Sequence, residues 1–191
     1  MDEAARQRSA AGGFWAHSLQ VYAQPGVEPA CLRLQDEAGL DPNLLLLALY
    51  AGGIGRAIGV DDWQRLDALV APLREQLIQP LRHARRWLKH QPPVPLQPAQ
   101  GGVCEMRPAL AELELQAERH VHTLLEQALP SCAATDIAAT PAANLGRYLQ
   151  SRGAGPCAAW GADLVALARA VEPDAGNRPG PKQDIAENPE A

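Results

Sequence analysis

Aromatic residues are scarce in this 191-residue chain: they make up 4% of it, with one Phe, three Tyr and four Trp. Val and Ile are sparse too, whereas Leu and Ala dominate a composition that is 47% hydrophobic. Strands draw on β-branched and aromatic side chains, while Leu and Ala lose little entropy in a helix. The shortage argues against a sandwich or barrel. It predicts an all-α protein, a single helical bundle of about six to seven helices.

Positive charge is also short. Seventeen Lys and Arg stand against 22 Asp and Glu, a net charge of −5. Nucleic-acid and anionic-membrane binders want a basic surface, so neither is the expected partner. Long apolar runs are missing as well. Leu44 to Gly55 is only a dozen residues, against the ~20 that a membrane span needs, so it reads as a buried core helix.

The opening "MDEAARQRSAAGG" carries acids and no apolar stretch, unlike a secretory leader. The four cysteines, Cys31, Cys104, Cys132 and Cys157, form no C-x-x-C pair and have no His at zinc-finger spacing. They read as free thiols, buried where their neighbours are apolar. A reducing cytoplasm is the expected compartment.

What is present is helical punctuation. Residues 1–12 read as a flexible tail and residues 13–171 as the helical domain. The first helix starts near Gly13, with Phe14 or Trp15, Leu19 and Tyr22 on its core face. "VEPACLRLQDEAG" places Pro29 in a first turn and Gly39 just past the last. Asp41 followed by Pro42 is a helix-start signature, and Asn43 falls in that first turn. Asp36 and Glu37 sit in a last turn, where acids oppose the helix dipole, so Asp36 is not explained by capping.

"GGIGRAIG" follows the apolar helix. Its glycines suit close helix contact or unwinding better than a phosphate cradle, since no strand precedes them and no Lys-Ser/Thr follows. Asp61 or Asp62 is the expected cap of the next helix, and Pro80 should kink the segment "PLREQLIQPLRHARRWLKH". Its expected stripe is Val70, Leu73, Leu77, Leu81, Ala84 and Leu88.

Residues 91–102, "QPPVPLQPAQGG", read as a Pro-rich linker within the domain. The long helix after it has an expected stripe of Leu110, Leu113, Ala117, Val121, Leu124 and Ala128. Thr140-Pro141 opens a further helix, "CAAWGADLVALARAV" reads as the last, and residues 172–191 read as a disordered tail.

Two constellations carry charge chemistry. Arg82, Arg85, Arg86 and Lys89 share one helix face, with His83, His90 and Trp87 on the other side. Guanidinium forks suit phosphate or carboxylate, so this face is a candidate partner- or anion-binding surface. Glu114, Glu118 and His122 climb one edge of the long helix. The simpler reading pairs that edge with the Arg face as an ion-pair ladder, the linker letting the two helices lie antiparallel. Metal binding at Glu118 and His122 is disfavoured. The spacing is one residue longer than Glu-x-x-His, and neither a second copy nor H-E-x-x-H occurs. G-x-S-x-G is absent too, and no nucleophile has an evident base.

"FWAHSLQVYAQPGVEPACLRLQDEAGLDPNLLLLALYAG", then "PLRHARRWLK", then "AELELQAER" together resemble a family of proteobacterial proteins known only as a domain of unknown function. The resemblance spans residues 13–127 and rests on three separated motifs in order. It implies a soluble bacterial cytoplasmic protein and brings no activity, cofactor or catalytic residue. It marks Trp15, Tyr22, Gln35, Asp36, Asn43, Arg82, Arg85, Arg86, Glu114 and Glu118.

The leading expectation is a non-enzymatic protein-interaction module that uses its Arg-rich helix, with no metal and no cofactor. The alternative is a small-molecule-binding protein or enzyme whose interhelical site gathers Asp36, Asn43 and Arg85, with Glu114 and Glu118. One enclosed site shared by Asp36, Asn43 and Arg85 would favour the alternative. Separate faces would end it.

Overall fold

The computed structural model describes residues 13–90, 103–129, 137–154 and 158–171. Residues 1–12, the Pro-rich stretch 91–102 and the tail 172–191 lie outside the described residues, and so do Cys132 and Cys157. The described residues are all-α, with no strand among them. In chain order the helices are α1 (Gly13–Tyr22), α2 (Val27–Ala38), α3 (Pro42–Gly53), α4 (Val60–Leu73), α5 (Gln79–Lys89), α6 (Val103–Ala128), α7 (Pro141–Ser151) and α8 (Gly161–Arg169). A π-helical turn, Arg74–Ile78, joins α4 to α5, and a 3₁₀ turn, Ala158–Trp160, leads into α8.

Helix α3 is the axis of the fold. Every residue from Pro42 to Gly52 is buried, because α1, α2, α6 and α7 all pack against it. Asp41 caps it, accepting the Asn43 N–H at 2.9 Å, with Pro42 behind it. At its other end Gly52 is pressed against the chain entering α7. A Cβ there would lie 2.2 Å from the Pro141 nitrogen, so this glycine serves close contact rather than ligand cradling. Asn144 of α7 is fully buried and stitches the post-α3 loop, accepting from the Ile58 N–H at 3.1 Å and donating to the Arg56 carbonyl at 2.8 Å.

Several core faces differ from the periodicity reading. On α1 the buried line is Phe14, Ser18 and Val21, while Leu19 is 51% exposed. A serine occupies the middle of that line, so hydrophobicity alone points one position away. On α6 the buried line runs through Glu114, Ala117, Val121 and Leu125, and Leu113 is 50% exposed. The face turned because α5 presents arginines to Glu114.

The segment before α5 differs for a backbone reason. Pro80 has no N–H to give the Gln76 carbonyl, and the ladder shifts register one turn earlier, with Gln79 N–H bonding to the Arg74 carbonyl. The extra residue rotates Ile78 into the core and leaves Leu77 42% exposed. Helix α4 starts at Val60 after Gly59 with no side-chain cap. Asp61 and Asp62 lie in its first turn instead, which suits the positive end of the helix.

Candidate functional site

Helices α1, α2, α3, α5 and α6 surround a half-open cleft of about 680 Å³. All ten residues marked by the three motifs line it, and so does Lys89. Asp36 and Gln35 come from α2, Asn43 from the first turn of α3, the arginines from α5, and Glu114 and Glu118 from α6. Trp15 and Tyr22 come from the exposed side of α1, which faces the cleft once Phe14 and Val21 are buried.

The inner wall is an ion-pair ladder between antiparallel α5 and α6. Arg82 Nε donates to Glu114 Oε1 at 2.8 Å, and its Nη2 pairs with Glu118 Oε1. Arg85 Nε donates to Glu114 Oε2 at 2.8 Å, and its Nη2 reaches Oε1 at 3.3 Å. Burial alone would raise the Glu114 carboxyl. The hydrogen bonds and charges of Arg85 and Arg82 outweigh it and hold Glu114 below the ordinary carboxylate value. Glu118 is half-buried with a single arginine contact, and desolvation there raises its carboxyl. Arg82 and Arg85 are therefore engaged within the molecule, and Arg86 and Lys89 carry the cations without an ion pair or hydrogen bond among the described residues.

His122 lies at the base of the cleft, stacked on the Phe14 ring at 4.3 Å with the Trp15 edge 5.0 Å away. Its Nδ1 sits 2.8 Å from the Glu118 carbonyl oxygen. A carbonyl only accepts, so Nδ1 carries the proton and Nε2 is left as an acceptor. Burial keeps the ring neutral by lowering its pKa. Nε2 of His122 and Oγ of Ser18 are both buried without a partner among the described residues, and both residues line the cleft.

Glu118 and His122 are not arranged as chelators. The Glu118 carboxylate turns to Arg82, and His122 faces the Glu118 backbone. Among the described residues no group of three His, Cys, Asp or Glu stands ready to hold a metal.

Asn43 combines two roles. Its Nδ2 donates to Asp41 Oδ1 at 3.1 Å, as first-turn hydrogen bonding requires, and the residue also lines the cleft. Asp41 itself belongs to a structural network. Arg74 from the π turn donates to Asp41 Oδ2 at 3.1 Å and to Asp67 Oδ1 at 2.7 Å, and Asp67 accepts from Arg152, just past the end of α7, at 2.7 Å. Glu37 is explained by the Trp160 indole, which donates to it at 3.3 Å. Asp36 has no hydrogen bond or ion pair with a described residue and lines the cleft.

Sequence reading missed Ser18, Glu28, Leu32 and Leu46 as lining residues. Ser18 had a signal, its i+4 spacing from buried Phe14. The others had none until the helices were placed.

A family model described as a protein of unknown function (DUF2390) matches residues 13–125 of the chain, more than half of it. The chain belongs to the DUF2390 family. The DUF2390 region ends inside α6, so it contains all the cleft residues, while α7 and α8 lie beyond it. No curated protein and no solved structure matches the chain. Among the described residues, no helix of this DUF2390 protein is long and apolar enough to cross a membrane.

Proposed function

We propose that this protein binds a small molecule in the cleft, with an anionic group of the ligand met by Arg86 and Lys89. The observation that carries the reading is the convergence of Asp36, Asn43 and Arg85, from three separate helices, on one cleft of about 680 Å³. Ligand pockets span roughly 300–1,000 Å³ and combine apolar lining with a few polar groups. Here Trp15, Tyr22, Leu32 and Leu46 supply apolar surface. Ser18 Oγ and His122 Nε2 add hydrogen-bonding capacity that no described residue uses. Charge, aromatic surface and hydrogen bonding are binding chemistry, and the reading assigns no catalytic residue. A bacterial cytoplasm fits the motif resemblance and the free, buried thiol of Cys31.

Native mass spectrometry of protein purified at low salt tests the reading. The expected result is a co-purifying small mass that disappears on denaturation and is lost in an Arg86→Ala/Lys89→Ala double variant. A clean protein mass, identical in the two proteins, counts against it.

A second reading has one observation in its favour. Trp87 is 57% exposed on α5, beside Arg86, and an exposed Trp next to a free cation is a common protein-docking feature. Under that reading the protein is an interaction module and Trp87→Ser abolishes capture of its partner. Charge reversal at Arg82 or Arg85 does not test it, because both arginines hold α5 to α6.

A further inference from the structure

The cleft walls carry unmatched charge of opposite sign. Glu28 and Asp36 project from α2, and Arg86 and Lys89 from α5. None of the four makes an ion pair or hydrogen bond with a described residue, so no ion pair joins the two walls. The deeper charges differ, since Arg82 and Arg85 are already matched by Glu114 and Glu118. A ligand therefore meets an inner wall that is neutralised and an outer pair of walls that is not.

An anion alone would gain the α5 wall and bring its charge toward the α2 carboxylates. A cation alone would suffer the reverse. One molecule carrying both charges turns each repulsion into a contact. The aromatic rings of Trp15 and Tyr22 offer surface to an apolar body. Ser18 and His122, whose buried Oγ and Nε2 have no partner among the described residues, line the same cleft.

We propose that the cleft takes a zwitterion: a small molecule bearing a carboxylate and an ammonium group, of the class of apolar α-amino acids. The carboxylate pairs with Arg86 and Lys89, and the ammonium with Asp36 and Glu28. The apolar side chain packs toward Trp15 and Tyr22. This inference rests on the reading of the cleft as a ligand site.

Calorimetric titration of the full chain with three probes of one shape tests it: phenylalanine, 3-phenylpropionate, which has only the anion, and 2-phenylethylammonium, which has only the cation. Phenylalanine is expected to bind at least about tenfold more tightly than either, a difference of about 1.4 kcal/mol. Asp36→Asn is expected to weaken phenylalanine about tenfold and to leave 3-phenylpropionate unweakened. Asp36 is exposed and unpaired, so its variant keeps the fold, as a circular-dichroism melt will show. A single-charge probe that matches phenylalanine overturns the zwitterion and leaves the ligand site standing. No binding by any of the three overturns the zwitterion, and the native mass of the purified protein then decides the ligand site separately.

Discussion

The hydroxyl of Tyr148 accepts the backbone N–H of Asp41 at 2.9 Å, across 107 residues of chain. Asp41 starts the central helix, and Tyr148 belongs to α7, beyond the DUF2390 match. The bond is buried, so Tyr148→Phe strands an N–H donor in the core. The expected loss is about 1–3 kcal/mol, read from urea unfolding. A chain ended at residue 129 exposes the face of α3 that α7 covers and is expected to lose its cooperative transition. A truncated chain that unfolds with unchanged midpoint would show that α7 is dispensable.

Glu114 is 8% exposed and accepts from two arginines. Glu114→Ala leaves two half-buried guanidiniums facing each other across a lost carboxylate. Its expected cost is about 3 kcal/mol, at the lower end for a broken buried ion pair because solvent reaches the ladder. Arg86→Ala removes an exposed, unpaired cation and is expected to change stability by under about 0.5 kcal/mol. Equal effects from the two variants would contradict the division of α5 into engaged and free cations.

Gly52 and Gly53 are neighbours with opposite expectations. A Cβ at Gly52 meets backbone at 2.2 Å, which cannot yield as a flexible side chain would, whereas a Cβ at Gly53 meets nothing within 4 Å. Gly52→Ala is expected to cost about 2–3 kcal/mol. Gly53→Ala is expected to be neutral or to stabilise by up to about 1 kcal/mol, because alanine restricts the unfolded chain. Thermal melts of the pair decide it.

His17 and His122 both titrate below their ordinary value of 6.5, in each case because burial penalises the charged ring. Between the lowered folded pKa and 6.5 the unfolded chain binds more protons than the folded one. Stability from these groups is therefore present above about pH 6.5 and is lost as pH falls through the folded values. Glu118 acts in the opposite sense, since a raised carboxyl favours the fold as pH falls. The comparison to make is wild type against His122→Phe, from about pH 7.5 to about pH 5.5. The urea midpoint of the wild type should decline on acidification, and the variant should decline less. Parallel curves would mean that His122 titrates normally.

Helix ends were legible in the sequence because they are local chemistry. Pro29 falls in the first turn of α2 and the Gly39 N–H closes its end, while the Asp41 and Thr140 side chains, each followed by Pro, accept first-turn N–H groups to open α3 and α7. Helix faces were less legible. In a Leu- and Ala-rich helix, stripes one position apart are almost equally apolar, and the neighbour decides which turns inward. On α6 the choice fell on Glu114 because two arginines of α5 compensate its charge. On α5 a single proline shifted the register through the π turn, moving Ile78 in and Leu77 out.

The residues of the cleft were visible in the chain only as separate motifs. Composition, caps and periodicity by themselves determined an all-α protein, its central apolar helix and most helix boundaries, since these depend on interactions between near neighbours. Tertiary structure alone brought Asp36 of α2 and Arg85 of α5 to one cleft, satisfied Arg82 and Arg85, and left Arg86, Lys89, Glu28 and Asp36 unmatched among the described residues. Those outcomes depend on which helices pack side by side, and that is decided by the burial of faces contributed from distant parts of the chain.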